Sequence, residues 1–160
     1  MKKLSLLFGI LIGLSLSAQQ AREKVEQGNQ AYAQNAYDEA EIRYREANEK
    51  AKENELRTTQ YNLGTALFKQ ARYEEALEAF KESLRLAETP EEKAKAYHNL
   101  GNTYLQNQKL KEAIEAYKQA LIQNPADDET RYNLAKALEQ QKQEEKQQQQ
   151  NKDQQDQDQK

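Results

Sequence analysis

Apolar residues return along this chain at intervals of three and four, in separate bursts rather than continuously. Tyr37, Ala40, Tyr44, Ala47 and Ala51 form one burst, and Tyr73, Ala76, Leu77, Phe80, Leu84 and Ala87 form a second. Leu110, Ala113, Ile114, Tyr117 and Leu121 form a third. This spacing puts the apolar side chains on one face of an α-helix. The stretches between the bursts repeat as well: Tyr61-Asn62-Leu63-Gly64 returns as His98-Asn99-Leu100-Gly101, and Gly28-Asn29 stands in the same relation to the first burst. Each unit therefore predicts two helices, and the chain as a whole is all-α.

The punctuation agrees. Once the N-terminal segment is set aside, the remaining glycines are Gly28, Gly64 and Gly101, spaced 36 and 37 residues apart. The pattern places Gly101 where the second helix crosses closely, with Ala113 as the small residue that meets it. Pro90 and Pro125 both fall between units, where neither interrupts a helix. Thr89-Pro90-Glu91-Glu92 predicts a helix start, with a threonine cap, proline at the first helical position and glutamate three residues after the cap. Asp127 or Asp128 can cap a last helix that carries Leu134, Ala135 and Leu138.

These residues resemble the tetratricopeptide repeat, a helix-turn-helix unit of about 34 residues. The resemblance runs through residues 21–54, 57–90 and 94–127 and a capping helix at 128–138. It implies a solenoid of three helical hairpins closed by a C-terminal helix. It also implies that the first helix of each hairpin lines a concave groove suited to extended peptides. In register, that wall carries Asn29 and Tyr32 from the first unit and Tyr61, Asn62, Thr65 and Phe68 from the second. Lys95, His98, Asn99 and Asn102 follow from the third, and Tyr132 from the last helix. Asparagine amides can bond a ligand backbone, and flat aromatic rings offer rigid contact area. Co-chaperone members of the family clamp a terminal carboxylate with lysine, arginine and asparagine. Asn29, Asn62 and Lys95 match those positions, but Val25 and Asn99 replace two cations, so most of the charge-assisted bonding is missing.

The first unit departs furthest from the others. Gln27 stands where later units have Leu63 and Leu100, Glu41 where they have Leu77 and Ile114, and Asn48 where they have Leu84 and Leu121. A solenoid's terminal unit lacks a neighbour on one side, so these substitutions predict a polar end cap.

Composition narrows the functional classes. With 36% apolar residues and a mean hydropathy of −1.20, the chain is too polar for a single deep core but suits stacked units that bury their faces on one another. The net charge of −3 is spread over interspersed residues of both signs, with no basic face for a nucleic acid. There is no cysteine, and His98 is the single histidine, so a disulfide framework, a thiol nucleophile and the usual zinc ligand sets are excluded. His98 reads as a groove or packing residue. No serine elbow, glycine-rich phosphate loop or paired-histidine motif is present, so neither an enzyme, a cofactor nor a metal is expected.

The two ends differ from the middle. Met1-Lys2-Lys3, an apolar run over 4–16 and the small residues Ser17 and Ala18 have the layout of a secretory signal peptide at residues 1–18, cleaved after Ala18. The mature chain is then periplasmic or secreted. The alternative, an inner-membrane anchor at 4–16, falls short of the roughly 20 apolar residues that a spanning helix needs. Residues 139–160 are half glutamine and otherwise almost wholly charged, which predicts a disordered tail or a frayed helix. This layout resembles the exported tetratricopeptide proteins of Bacteroides-type aerotolerance operons. That resemblance implies an envelope complex whose partners are membrane proteins with von Willebrand factor A-type domains. A scaffold that binds peptides in its groove is the expected function, and an adaptor that binds through its convex face or its tail is the alternative.

Overall fold

The computed structural model describes the backbone of residues 2–158 and the side chains of residues 18–52 and 55–154. The described chain is α1 (Lys2–Ala33), α2 (Tyr37–Asn48), α3 (Glu53–Lys69), α4 (Tyr73–Arg85), α5 (Pro90–Gln106), α6 (Leu110–Gln123) and α7 (Asp128–Asp158). The expected signal peptide and anchor fall on side chains outside the described residues. Among the described residues, no helix is long and apolar enough to cross a membrane.

Helices pack on their neighbours in chain order, and α1 also touches α3, as α3 touches α5. The first helices of successive hairpins thus form an inner row, and α2, α4 and α6 form the outer one. The core is correspondingly drawn out. Leu63, Leu67, Leu77, Phe80 and Leu100 join the first hairpins, and Ala113, Ile114, Tyr117 and Ala137 join the third to α7. Each fully buried leucine or phenylalanine contributes about 1.5–3 kcal/mol, so stability accrues interface by interface.

Three hairpin turns repeat one device. The last carbonyls of α1, α3 and α5 are capped by backbone bonds from Ala36 to Ala31 (2.9 Å), Arg72 to Leu67 (3.0 Å) and Lys109 to Tyr104 (2.8 Å). This closure needs a left-handed residue just before each donor. Asn35, Ala71 and Gln108 supply it, with φ of 61°, 58° and 59°. Glycine would adopt that conformation without strain, and none of the three is glycine.

The predicted start of α5 is present in full. Thr89 Oγ1 accepts from the Glu92 backbone N–H (3.2 Å), and Glu92 accepts in return from the Thr89 N–H (3.1 Å). Asp127, rather than Asp128, caps α7 by accepting from the Thr130 N–H (3.0 Å).

One expectation needs correction, and two gain detail. The nearest neighbour of Gly101 is a ring: a Cβ there would lie 2.5 Å from Tyr117, and Gly28 and Gly64 face Tyr44 and Phe80 in the same way. The glycines make room for an aromatic ring. Glu41 is not an exposed end-cap residue. It is 8% exposed and wedged between the first two hairpins, where it accepts from Arg45 (2.9 Å), Gln70 (3.1 Å) and Arg72 (2.5 Å). Finally, the glutamine-rich segment continues α7 as helix to Asp158. Gln140 to Glu144 (2.9 Å), Gln143 to Glu139 (3.2 Å) and Gln149 to Asp153 (2.9 Å) bond along it. Glutamine, lysine and glutamate are good helix formers, and a helix already nucleated by packing at Thr130, Leu134 and Ala137 extends without a new nucleation cost.

Candidate functional site

Two cavities open side by side along the inner row. One, of about 320 Å³, lies between α3 and α5 and is bounded by Arg57, Thr58, Tyr61, Asn62, Glu92 and Lys95. The other, of about 230 Å³, is walled by Tyr32 from α1, Phe68 and Lys69 from α3, His98 and Asn99 from α5, and Glu129 from α7. Nine of the eleven wall residues read from the sequence line these two cavities, and Asn29 lines neither but bonds to Asn62. Tyr132 sits further along α7, 62% exposed, with the Lys136 ammonium over its ring at 5.4 Å.

Most of the amides are also engaged within the protein. Tyr44 donates its hydroxyl to Asn29 Oδ1 (2.9 Å), and Asn62 Nδ2 donates to the same oxygen (3.2 Å). The arrangement recurs two hairpins later, where Tyr117 (2.7 Å) and Asn133 (3.1 Å) both donate to Asn102 Oδ1. In the middle hairpin the ring is Phe80, which has no hydroxyl, and the residue after the glycine is Thr65, bonded to the Asn62 carbonyl (2.7 Å). Ring and neighbour change together: where the ring bears a hydroxyl, an asparagine receives it. Asn99 bridges this gap by donating to the Tyr61 hydroxyl (2.8 Å). These bonds tie each first helix to the next. Burial raises the pKa of Tyr44 to about 12, with Tyr32 adding to it, and burial likewise holds Tyr117 at about 12. Both hydroxyls therefore remain donors.

His98 joins α5 to the last helix. Its Nδ1 lies 2.6 Å from Thr130 Oγ1, and its Nε2 lies 2.9 Å from Asn102 Nδ2. Asn102 has committed its oxygen, so its nitrogen donates and Nε2 accepts. Thr130 donates its own hydroxyl to Asp127 Oδ2 (2.6 Å), so it accepts from Nδ1–H. The bonding thus assigns Nδ1 as the donor and Nε2 as the acceptor.

What remains for a ligand is specific. Lys95 is exposed, and its ammonium makes no ion pair among the described residues. Asn29 has spent its oxygen, and its amide nitrogen has no partner among the described residues. Tyr61 is half-buried, packed edge-on against Phe80 at 5.8 Å. Burial raises its pKa, and the bond from Asn99 offsets part of the rise. The sequence reading missed Arg57 and Glu129 as wall residues. Arg57 lies one helical turn before Tyr61 and is held by Glu92 (3.0 Å) and Glu88 (3.3 Å). Glu129 lies one turn before Tyr132 and stands 3.6 Å from His98 Nε2. Their helical spacing from predicted wall residues was the available signal.

Two family models match the sequence, a tetratricopeptide repeat over residues 55–121 and a TPR repeat over residues 101–142. The chain belongs to the tetratricopeptide repeat family. Among solved structures it is similar to the first TPR of Spaghetti (RPAP3) bound to the HSP90 peptide SRMEEVD, at 26% identity and a TM-score of 0.70, covering 76% of this chain and 93% of that one. It is similar also to the C-terminal TPR-containing domain of a Plasmodium falciparum FK506-binding protein, at 23% identity and a TM-score of 0.71, covering 81% and 93%. The N-terminal domain of stress-induced protein-1 from C. elegans follows at 21% and 0.67, covering 76% and 96%. At their lower identities, the last two show the shared fold alone. No curated protein matches the chain.

Proposed function

We infer that this TPR protein is an interaction scaffold whose inner face holds an extended segment of a partner protein. The observation that carries the reading is the pair of adjoining cavities along α3 and α5, rimmed by the unpaired Lys95 ammonium. A similar structure, the first TPR of Spaghetti, is bound to a peptide, which supports the same mode here. Arg57 is held by Glu88 and Glu92, and Asn29 Oδ1 by Tyr44 and Asn62, so Lys95, the Asn29 amide nitrogen and the aromatic floor of Tyr32 and Phe68 select the ligand. The chain has no catalytic part in this reading.

The N-terminal layout supports export with cleavage after Ala18, and the overall layout supports a place in a cell-envelope complex. On the same resemblance, the partner is a membrane protein with a von Willebrand factor A-type domain. Site-specific photo-cross-linking in the native host tests the reading. Adducts formed from position 58 or 95, absent from position 140, are expected. Adducts formed only from position 140 would move the function to the α7 extension. N-terminal sequencing of the protein recovered from envelope fractions should begin at Gln19, and a chain beginning at Met1 would refute cleavage.

A further inference from the structure

The outer row carries a groove larger than either inner cavity. About 680 Å³ of open space lies between α2 and α4, floored by Leu63 and Leu67 of α3. Glu74, Glu78 and Glu82 of α4 line it at successive helical turns, joined by Glu49 from α2. Like charges four residues apart on a helix are destabilising, so such a row weakens α4.

The repeat itself does not require the row. The corresponding positions are Asp38, Ile42 and Glu46 in α2 and Lys111, Glu115 and Gln119 in α6, so α4 alone is acidic at all three. A second departure reaches the same groove. Asn48, which replaces the leucine of the later hairpins, lines it, and its Oδ1 is buried with no hydrogen-bond partner. A third adjoins it: Glu41 in place of Leu77 and Ile114 draws Arg72 and Arg45 onto itself, and Arg45, a cation that lines the groove among five glutamates, also pairs with Glu75 (3.2 Å). The ways in which α2 and α4 depart from the other hairpins converge on one surface. The ion pairs that the row does make, Glu78 with Lys81 (2.8 Å) and Glu82 with Arg85 (2.7 Å), run along α4 itself. Exposed pairs of this kind are worth little and are readily exchanged.

We propose that the α2–α4 groove is a second docking surface, whose occupant is a lysine- or arginine-bearing amphipathic segment of a partner protein. Its cationic side chains pair with the α4 carboxylates, and its apolar face lies along the α3 floor, beneath which Leu63 and Leu67 are already buried. The proposal stands apart from the inner-face reading, because no residue of either inner cavity lines this groove.

The test uses the full chain and two labelled helical peptides of one design, amphipathic with leucine on one face and either lysine or glutamate on the other, followed by fluorescence anisotropy at about 0.15 M salt. The wild type should bind the lysine peptide and not the glutamate peptide. Replacing Glu74, Glu78 and Glu82 by glutamine should weaken binding about ten-fold or more, while glutamine at the exposed Glu23, Glu26 and Glu112 should change it by less than about two-fold. Asn48→Leu, which restores the residue of the later hairpins, should raise the melting temperature and weaken the peptide severalfold. Equal losses in the two triple variants would reduce the effect to bulk acidity and overturn the proposal. So would a wild type that binds neither peptide, or full affinity in Asn48→Leu.

Discussion

At the scale of single residues, the glycine-to-ring contact is the tightest constraint in the molecule. A Gly101→Ala change gains about 1 kcal/mol of helix propensity, yet puts a methyl group 2.5 Å from the Tyr117 ring. Overpacking of a filled site costs about 1–3 kcal/mol. Tyr117 is fully buried and held by Asn102, so the ring has little room to yield. A fall in the melting temperature is therefore expected, and a rise would show that the ring moves freely. Glu41 makes a second prediction. Burial pushes its pKa up, but bonds from Arg45 and Gln70 and the charges of Arg72 and Arg45 outweigh this and leave it below the ordinary glutamate value. A carboxylate depressed on folding contributes stability above its unfolded pKa, and that contribution is lost as pH falls through the folded value. Thermal melts from neutral to acid pH should show a smaller fall for Glu41→Gln than for the wild type, with Glu41→Gln the less stable at neutrality by about 1–3 kcal/mol. An identical pH dependence would mean that the carboxylate carries no such linkage. The sequence places Tyr61 on the groove wall, and its packing on Phe80 and its bond from Asn99 make it part of the inter-hairpin contact as well.

At the scale of helices and turns, three left-handed residues close three hairpins, and each pays a steric penalty that glycine avoids. Ala71→Gly should raise stability by about 0.5–1 kcal/mol, the strain relieved exceeding the extra freedom given to the unfolded chain. Chemical denaturation reads this directly, and a loss of stability would show that the turn is not strained. Thr89→Ala removes the Oγ1 half of a reciprocal cap, leaving the Thr89 backbone N–H bond to Glu92, and should cost about 1 kcal/mol. The α7 helix divides in two. Up to Ala137 it is fixed by packing, whereas beyond Gln141 every described side chain is exposed. Amide exchange should therefore be slow around Leu134 and fast past Gln141, and uniform protection to Asp153 would require a covering partner. Helical propensity explains why the segment is helical although it has no apolar residue to bury.

At the scale of the molecule, the hairpins form a row in which each interface supports the next, so removing residues 142–160 should leave the melting temperature essentially unchanged. A clear drop would assign the extension a structural contact. The two faces of the row differ in kind. The inner face is a ladder of amides and hydroxyls with a few groups left over, and the outer face between α2 and α4 is an acidic trough. Both arise from local exceptions to a repeating plan.

The helical hairpins, their spacing, the Thr89 cap and the rough position of the inner wall were all legible in the sequence, because helix periodicity, capping and glycine placement are local properties that each segment expresses by itself. Residue pairing across the hairpins was decided only in three dimensions. The sequence shows Asn29, Asn62 and Asn102 as available amides, but whether an amide faces a ligand or the next helix depends on where Tyr44, Tyr117 and Asn133 arrive from 15 to 33 residues away. For the same reason Glu41 reads as a surface substitution until Arg72 and Gln70 are brought beside it. Polar groups take their meaning from partners that only packing supplies.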